Sequence, residues 1–347
     1  MSASQLPLLS AGEVDWVYSC QTPRCKDASA ADASFSLGPW SGFEGGTYSG
    51  RSSASDLVPC SPSLPMTFAA LALLTTTGDD LQRVDMQGTL GFLLQAGPGS
   101  ARPGHEWDGS FCGCLASPLE RDLRMVFSAV ATFHLLGSWT KLPIRPIVRY
   151  ILSCQSWDGA FGLSPSREGH GGSTHCAVAS LFLVGALASS PLPAPRVAGG
   201  GSGPSDQLSE EDRKRVAAAV KRAEDWLMQR YLPVSEGCLG GVSGRAGKPA
   251  DVCYSWWITA ALVLLGRRSW LDGPDSSLVS YVKLCQDPMA GGIGKNHECS
   301  PDPLHSYYAL AGLALVEFPG MGQVDAALHM PAAAAEAAGV HWTPKEV

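Results

Sequence analysis

Charge is scarce in this chain. Of 347 residues only 16% are charged, against about a quarter in most soluble domains. The 25 basic and 32 acidic residues leave a net charge of −7, and nucleic-acid binders carry a basic excess, so no nucleic-acid partner is expected. Long apolar runs are also lacking. No stretch approaches the roughly 20 uninterrupted apolar residues of a membrane span, and the N-terminal MSASQLPLLSAGEVDW lacks the basic-then-apolar order of a signal peptide. A cytoplasmic chain with no membrane span is the expectation. The 11 cysteines, scattered from Cys20 to Cys299, form no CxxC pair, so free thiols with a metal ligand among them fit better than a disulfide framework. Runs that alternate apolar and polar residues are missing too, which argues against an extensive sheet. What remains, 45% hydrophobic residues, supplies one large core, although the length alone permits two domains.

A repeat organises the chain. Gly-rich turns read WDGSFCG (Trp107 to Gly113), SWDGAFG (Ser156 to Gly162), GCLGGVSGR (Gly237 to Arg245) and AGGIGK (Ala290 to Lys295). Gly109 to Gly159 and Gly241 to Gly291 both span 50 residues. Each turn is followed by an apolar stretch of helical length, starting near Asp122, Ser173, Cys253 and His305, with an earlier relative from Met66. Helices apolar on nearly every face belong inside a larger helical assembly. Between them lie amphipathic segments such as SEEDRKRVAAAVKRAEDWLMQRY, in which Ser209 caps and Val216, Val220, Ala223 and Leu227 mark the buried face. The stretches about 25–42 and 191–207 read as irregular insertions; the second is rich in Pro, Gly and Ser. The pattern predicts one all-α domain over 1–347, a ring of helical hairpins whose parallel inner helices bring their N-termini, and their positive dipole ends, together.

The residues at those N-termini carry the chemistry. Before the Cys253 helix stand Arg245, Lys248, Asp251, Cys253 and Tyr254; before the His305 helix, Lys295, Asp302 and His305; before the other two, His170 and Arg124. Asp251, Cys253 and His305 supply the three protein donors of a catalytic zinc with one open position. The same three also suit a cap Asp, a buried Cys and a satisfied core His. Arg245, Lys248, Lys295 and His170 have the donors to hold phosphate oxygens, or belong singly to solvated loops. Tyr254, Trp256, Trp257 and Phe127 line an apolar cavity or simply pack the core. Cys112, Cys114, Cys176 and Cys285 read as buried small hydrophobes, and His134, His329 and His341 have no neighbours that point to chemistry.

GRAGKPADVCYSWW, GHGGSTHCAVASL, ERDLRMVF, QDPMAGGIGK and PDPLHSYYALAGL resemble the β subunits of protein prenyltransferases, most closely the type I geranylgeranyltransferase branch, from roughly Asp56 onward. The resemblance implies an α/α barrel, or toroid, working as a heterodimer with an α subunit. Zinc would be held by Asp251, Cys253 and His305. The prenyl diphosphate would lie against His170 with Gly171 and Gly172, and against Arg245, Lys248 and Tyr254. Trp257, Cys176 and Phe127 would follow the isoprenoid, and Arg124 and Leu304 the C-terminus of a substrate protein ending in CaaX, such as a small GTPase. Lys295 stands where farnesyltransferase and the Rab-specific enzyme have an Asp, which in farnesyltransferase helps hold magnesium, so magnesium would not be required. Ser173 replaces a bulky tyrosine of farnesyltransferase. Both features imply the longer lipid, geranylgeranyl, transferred from its diphosphate to a zinc-bound cysteine thiolate, with negative charge on the leaving group met by His170, Arg245, Lys248, Tyr254 and Lys295.

Departures from the family are also legible. Its chains open with a further hairpin before the segment corresponding to Glu13–Gln21, so the barrel is expected to lack that hairpin and the isoprenoid-selecting residue it carries. Ser63 and Pro65 replace residues that shape the peptide pocket, and His175 replaces an aromatic. Farnesyl and Rab-type β subunits, or a truncated subunit that binds zinc and its partner without activity, are the alternatives. Two other ring-shaped folds are excluded by missing motifs: no DxDD acid of a triterpene cyclase and no GCGEQ of a thioester domain is present.

Overall fold

The computed structural model describes residues 9–22, 41–45, 62–101, 105–115, 117–139, 142–187, 204–271, 273 and 276–341. Of the two expected insertions, residues 25–40 and 191–203 lie outside that set; Pro204–Gln207 forms a 3-10 turn. The described residues are helical, with three short two-stranded hairpins as the only paired strands. They fall into two compact units. The first comprises Met1–Ile147, Arg196–Pro204 and Ala334–Val347; the second, Val148–Pro195 and Ser205–Ala333.

In the first unit α1 (Ala11–Ser19), α2 (Leu64–Thr76), α3 (Met86–Ala96) and α4 (Leu123–Leu135) accompany the hairpin β1 (Cys112–Cys114) and β2 (Ser117–Arg121). Helix α2 packs along α4, around Leu71, Leu74, Val126, Val130 and Phe133, all fully buried. Phe68 meets Phe127 edge to face at 5.3 Å. Asp122 caps α4 by accepting from the Arg124 N–H, and also pairs with the Arg124 guanidinium.

Helix α5 (Ile144–Ser153) is divided between the units, as is α11 (Ala332–His341). The second unit holds α6 (Gly171–Leu183), α7 (Glu210–Met228), α8 (Tyr254–Leu264), α9 (Ser277–Leu284) and α10 (Pro303–Leu315), with the hairpins β3 (Val234–Ser235), β4 (Cys238–Leu239), β5 (Val324–Asp325) and β6 (Met330–Pro331). Helices α6 and α10 both pack on α8, and their starts meet the start of α8, so the three run parallel. Helix α7 is the outer helix read from the sequence: Ser209 and Asp212 form its capping box, and Val216, Val220, Ala223 and Leu227 are buried.

One motif recurs three times in this unit. After an outer helix the chain turns and a backbone N–H reaches back to the helix end: Gly162 to the Cys154 carbonyl, Ser243 to Arg230 and Gly294 to Cys285, at 2.9 to 3.0 Å. Eight or nine residues later it returns, with His170 donating to Phe161, Asp251 to Val242 and Asp302 to Ile293. This register pairs Gly241 with Gly292 rather than with Gly291, one residue off the spacing read from the sequence. Both take positive φ, +90° and +83°, which a side chain rarely tolerates. A hydroxyl four residues into the helix completes two of the copies: Thr174 accepts from the Phe161 N–H and Ser306 from the Ile293 N–H. Thr174→Val keeps the shape and removes that acceptor from a buried N–H. It is expected to lower stability by about 1–3 kcal/mol, read from the denaturation midpoint, while Thr174→Ser retains most of it; a midpoint unmoved in Thr174→Val would refute this role.

Candidate functional site

The loop before α8 places its donors through backbone constraints. Asp251 is tied to Val242, and its Oδ1 accepts from the Cys253 N–H at 3.0 Å, folding the carboxylate over the helix start. The Val252 N–H donates to the Lys295 carbonyl at 2.9 Å, which locks this loop to the turn before α10. From α10, His305 Nε2 approaches Asp251 Oδ1 to 3.3 Å. One donor atom from each of Asp251, Cys253 and His305 lies within 4.8 Å of the others, and all three residues are half-buried. Burial, then the Asp251 charge, pushes the Cys253 thiol well above its ordinary range.

His305 is held by its cap. Asp302 accepts from the His305 N–H at 2.9 Å through one oxygen and from Nδ1 at 2.6 Å through the other. Nδ1 is thereby committed and Nε2 faces Asp251, the arrangement in which carboxylates orient metal-binding imidazoles. The hydrogen bonds from its neighbours hold the Asp302 carboxyl below the usual carboxylate range.

A second cluster adjoins the starts of α6 and α8. His170 caps α6: its Nδ1 accepts from the N–H groups of Gly172 (3.0 Å) and Ser173 (3.4 Å). Burial, then the Arg245 charge, lowers its pKa, so the neutral ring carries its proton on Nε2 and donates it to the Tyr254 hydroxyl oxygen at 2.8 Å. The Tyr254 O–H is then left to donate elsewhere, and its pKa is pushed up to about 12, chiefly by burial. A Cβ at Gly244 would fall inside the Tyr254 ring, so only glycine fits there. Arg245 pairs with Glu168 at 2.8 Å, Lys295 lies 3.6 Å from Asp251, and Lys248 is exposed.

A family profile described as the prenyltransferase alpha-alpha toroid domain matches residues 7–330. The chain belongs to that family. It is 33% identical over 272 residues to the geranylgeranyl transferase type-1 subunit beta of Arabidopsis thaliana, covering 78% of this chain and 64% of that one. Its identity to the protein of that name in Dictyostelium discoideum is 30% over 286 residues, or 82% and 68%. The chain thus spans a little under two thirds of the Arabidopsis relative. The solved structure of Candida albicans protein geranylgeranyltransferase-I complexed with GGPP aligns with a TM-score of 0.72 over 95% of this chain and 84% of that one, at 20% identity, which shows the α/α toroid fold. No helix among the described residues is long and apolar enough to cross a membrane.

The toroid's second unit therefore brings together Asp251, Cys253 and His305, with Lys295 alongside, and separately joins His170 to Tyr254 and Arg245 to Glu168. Gly171 donates its N–H to the Gly244 carbonyl at 2.9 Å, and Gly172 stands 3.1 Å, by its would-be Cβ, from the His170 ring. The Trp257 ring lies tilted against Tyr308 (4.7 Å) and edge to face with His175 (5.3 Å), Cys176 is buried, and Leu304 is exposed. Arg124 and Phe127 lie in the first unit, Phe127 buried and Arg124 bound to Asp122 and Glu120.

Three residues escaped the sequence reading. Asp302 was visible only as one of the residues before the His305 helix, and its grip on His305 was not. Glu168 gave no signal. His329, given no role, sits buried with its ring 4.8 Å from that of His175, against Trp256 and Trp257. His175 Nε2 donates to the Ala326 carbonyl at 2.9 Å inside the core. A trio of one carboxylate, one thiol and one pre-oriented imidazole fits a borderline-soft divalent ion with one open position. Asp302→Asn preserves the cap but weakens the hold on Nδ1, and is expected to lower metal affinity roughly 10- to 100-fold in competition titrations while the metal-free melting midpoint stays put.

Burial takes the pKa of His175 down to about 4, so between pH 6.5 and 4 the unfolded chain binds the extra proton and the folded one does not. Stability should fall as pH drops through that window. His175→Phe should flatten the decline in melts recorded from pH 7 to 4; an identical slope would assign the acid sensitivity to other groups.

Proposed function

We propose that this chain is the β subunit of a type I protein geranylgeranyltransferase, acting with an α subunit in the cytoplasm. It transfers geranylgeranyl from geranylgeranyl diphosphate to the cysteine thiol of proteins ending in CaaX, X often Leu, small GTPases among them. The observation that carries the reading is the Asp251, Cys253 and His305 trio with Lys295 at 3.6 Å from Asp251. In this reading residues 1–347 form one toroid domain, supported by a single family profile running through 7–330.

Zinc at the trio would supply the positive charge that keeps an incoming thiol ionised at neutral pH. The chain's own residues do the rest. His170 fixes the Tyr254 hydroxyl with its O–H free to donate, and Tyr254, Arg245, Lys248 and Lys295 offer donors to the diphosphate as bond cleavage at C1 puts negative charge on it. Preorganised donors of this kind are the larger share of such a rate enhancement. Gly171 and Gly172 let the chain approach the ligand closely at the α6 start. Trp257, Cys176 and Phe127 would follow the isoprenoid, and Arg124 and Leu304 the peptide's C-terminus.

Lys295 favours the type I reading over the farnesyl one, because an ammonium in that position replaces the charge that magnesium would bring. Co-expression with a prenyltransferase α subunit, followed by assays of geranylgeranyl and farnesyl transfer to CaaX peptides ending in Leu or Met without magnesium, tests it. Geranylgeranylation of the Leu peptide is expected. Farnesyl transfer would reassign the lipid, and zinc binding without any transfer would mark a silent subunit. Cys253→Ala should lose zinc and transfer together, whereas Lys295→Asp should keep zinc and make transfer depend on magnesium. A zinc-loaded, active Cys253→Ala protein would sink the metal assignment.

A further inference from the structure

Two of the cations assigned to the diphosphate are already held by carboxylates. Lys295 faces Asp251, which belongs to the metal trio. Arg245 Nη1 lies 2.8 Å from Oε2 of Glu168, a residue with no part in the chemistry above. Glu168 stands two positions before His170, the cap of α6, and Arg245 follows Gly244, the glycine against the Tyr254 ring. The two loops are joined by backbone, since the Gly171 N–H donates to the Gly244 carbonyl at 2.9 Å.

The pair is open to solvent, with side chains 40% and 67% exposed. Ion pairs so exposed add little to stability, so the fold does not need it. A carboxylate beside an anion site, meanwhile, repels the anion. An arginine presents five N–H donors in a rigid fork, and a partner on one arm leaves others available while fixing the plane.

We propose that Glu168 is a positioning residue for Arg245: it holds the guanidinium at the mouth of the diphosphate site and, by its charge, keeps ground-state affinity for the diphosphate moderate. The inference rests on reading this site as a diphosphate site. Its chemical sense is that binding an anion equally tightly before and during reaction brings no acceleration. Glu168 would offset part of the ground-state attraction while keeping its hold on one arm of Arg245.

Calorimetric titration of the zinc-loaded full chain with inorganic pyrophosphate and with geranylgeranyl diphosphate tests this. Glu168→Gln should tighten both about three- to tenfold, the range expected when one like charge is removed from a solvated site. Glu168→Asp, which keeps the charge, should stay near wild type, and the gain should shrink in an Arg245→Gln background, where only direct repulsion of the anion remains. In transfer assays Glu168→Gln should lower KM for the prenyl diphosphate without raising kcat. Unchanged or weaker anion affinity in Glu168→Gln, at an unchanged melting midpoint, overturns the proposal, as does the same gain without Arg245. If Arg245→Gln binds both anions as wild type does, the diphosphate reading itself fails, and the inference with it.

Discussion

The start of each inner helix needs an acceptor, and everything else in the second unit follows from how that need is met. The first turn of a helix leaves backbone N–H groups without intrahelical partners, and in a low-charge core they must be satisfied by a side chain. His170 and Asp302 do this for α6 and α10, and Asp251 holds the same structural position before α8, accepting from the Cys253 N–H just ahead of that helix; each of the three is tied by its own N–H to the preceding turn. In the first unit Asp122 does the same for α4. A capping side chain is therefore a polar group whose place and direction the backbone dictates. With α6 and α10 packed in parallel on α8, these groups are delivered to one end of the bundle before any chemistry is asked of them.

The three side chains have diverged in what their second polar atom does. His170 caps through Nδ1 and turns Nε2 to Tyr254. Asp302 caps through one oxygen and grips His305 Nδ1 with the other. Asp251 accepts from the Cys253 N–H through Oδ1, which also faces His305, and presents Oδ2 to Lys295. A polar side chain set at one place thus becomes an orienter of a phenol, an orienter of an imidazole and a prospective ligand. The positions after the caps carry the variable chemistry: Gly172, Cys253 and Leu304 two residues on, Ser173, Tyr254 and His305 three residues on.

This division explains what could be read from the sequence. The helices were legible because their apolar stretches and the capping signature of α7 are local, and Asp251, Cys253 and His305 because donor types and helix starts are local too. The one-residue register shift between Gly241 and Gly292 was not, since the GG pair reads equally well either way and only the Val242 and Ile293 hydrogen bonds decide it. Nor were the partnerships of Glu168 with Arg245 or of His175 with His329, which join residues 77 and 154 positions apart. An isolated Glu in a loop looks solvated, and an isolated His in an apolar stretch looks like core. Only packing tells which neighbour each one acquires.

The loops that bear the Asp251, Cys253 and His305 trio and the neighbouring cations are joined by backbone. The Val252 N–H to the Lys295 carbonyl ties the loop that bears Asp251 and Cys253 to the turn that bears Lys295, and the Gly171 N–H to the Gly244 carbonyl ties the Arg245 loop to the start of α6. Backbone bonds do not adjust by rotamer, so neither loop can shift without carrying the other's charges along. Asp251 feels this most. It lies between Lys295 and His305, and whatever satisfies its two oxygens on one side alters the charge available on the other. Fixed helix starts joined by fixed loops are what hold so few charges in one place.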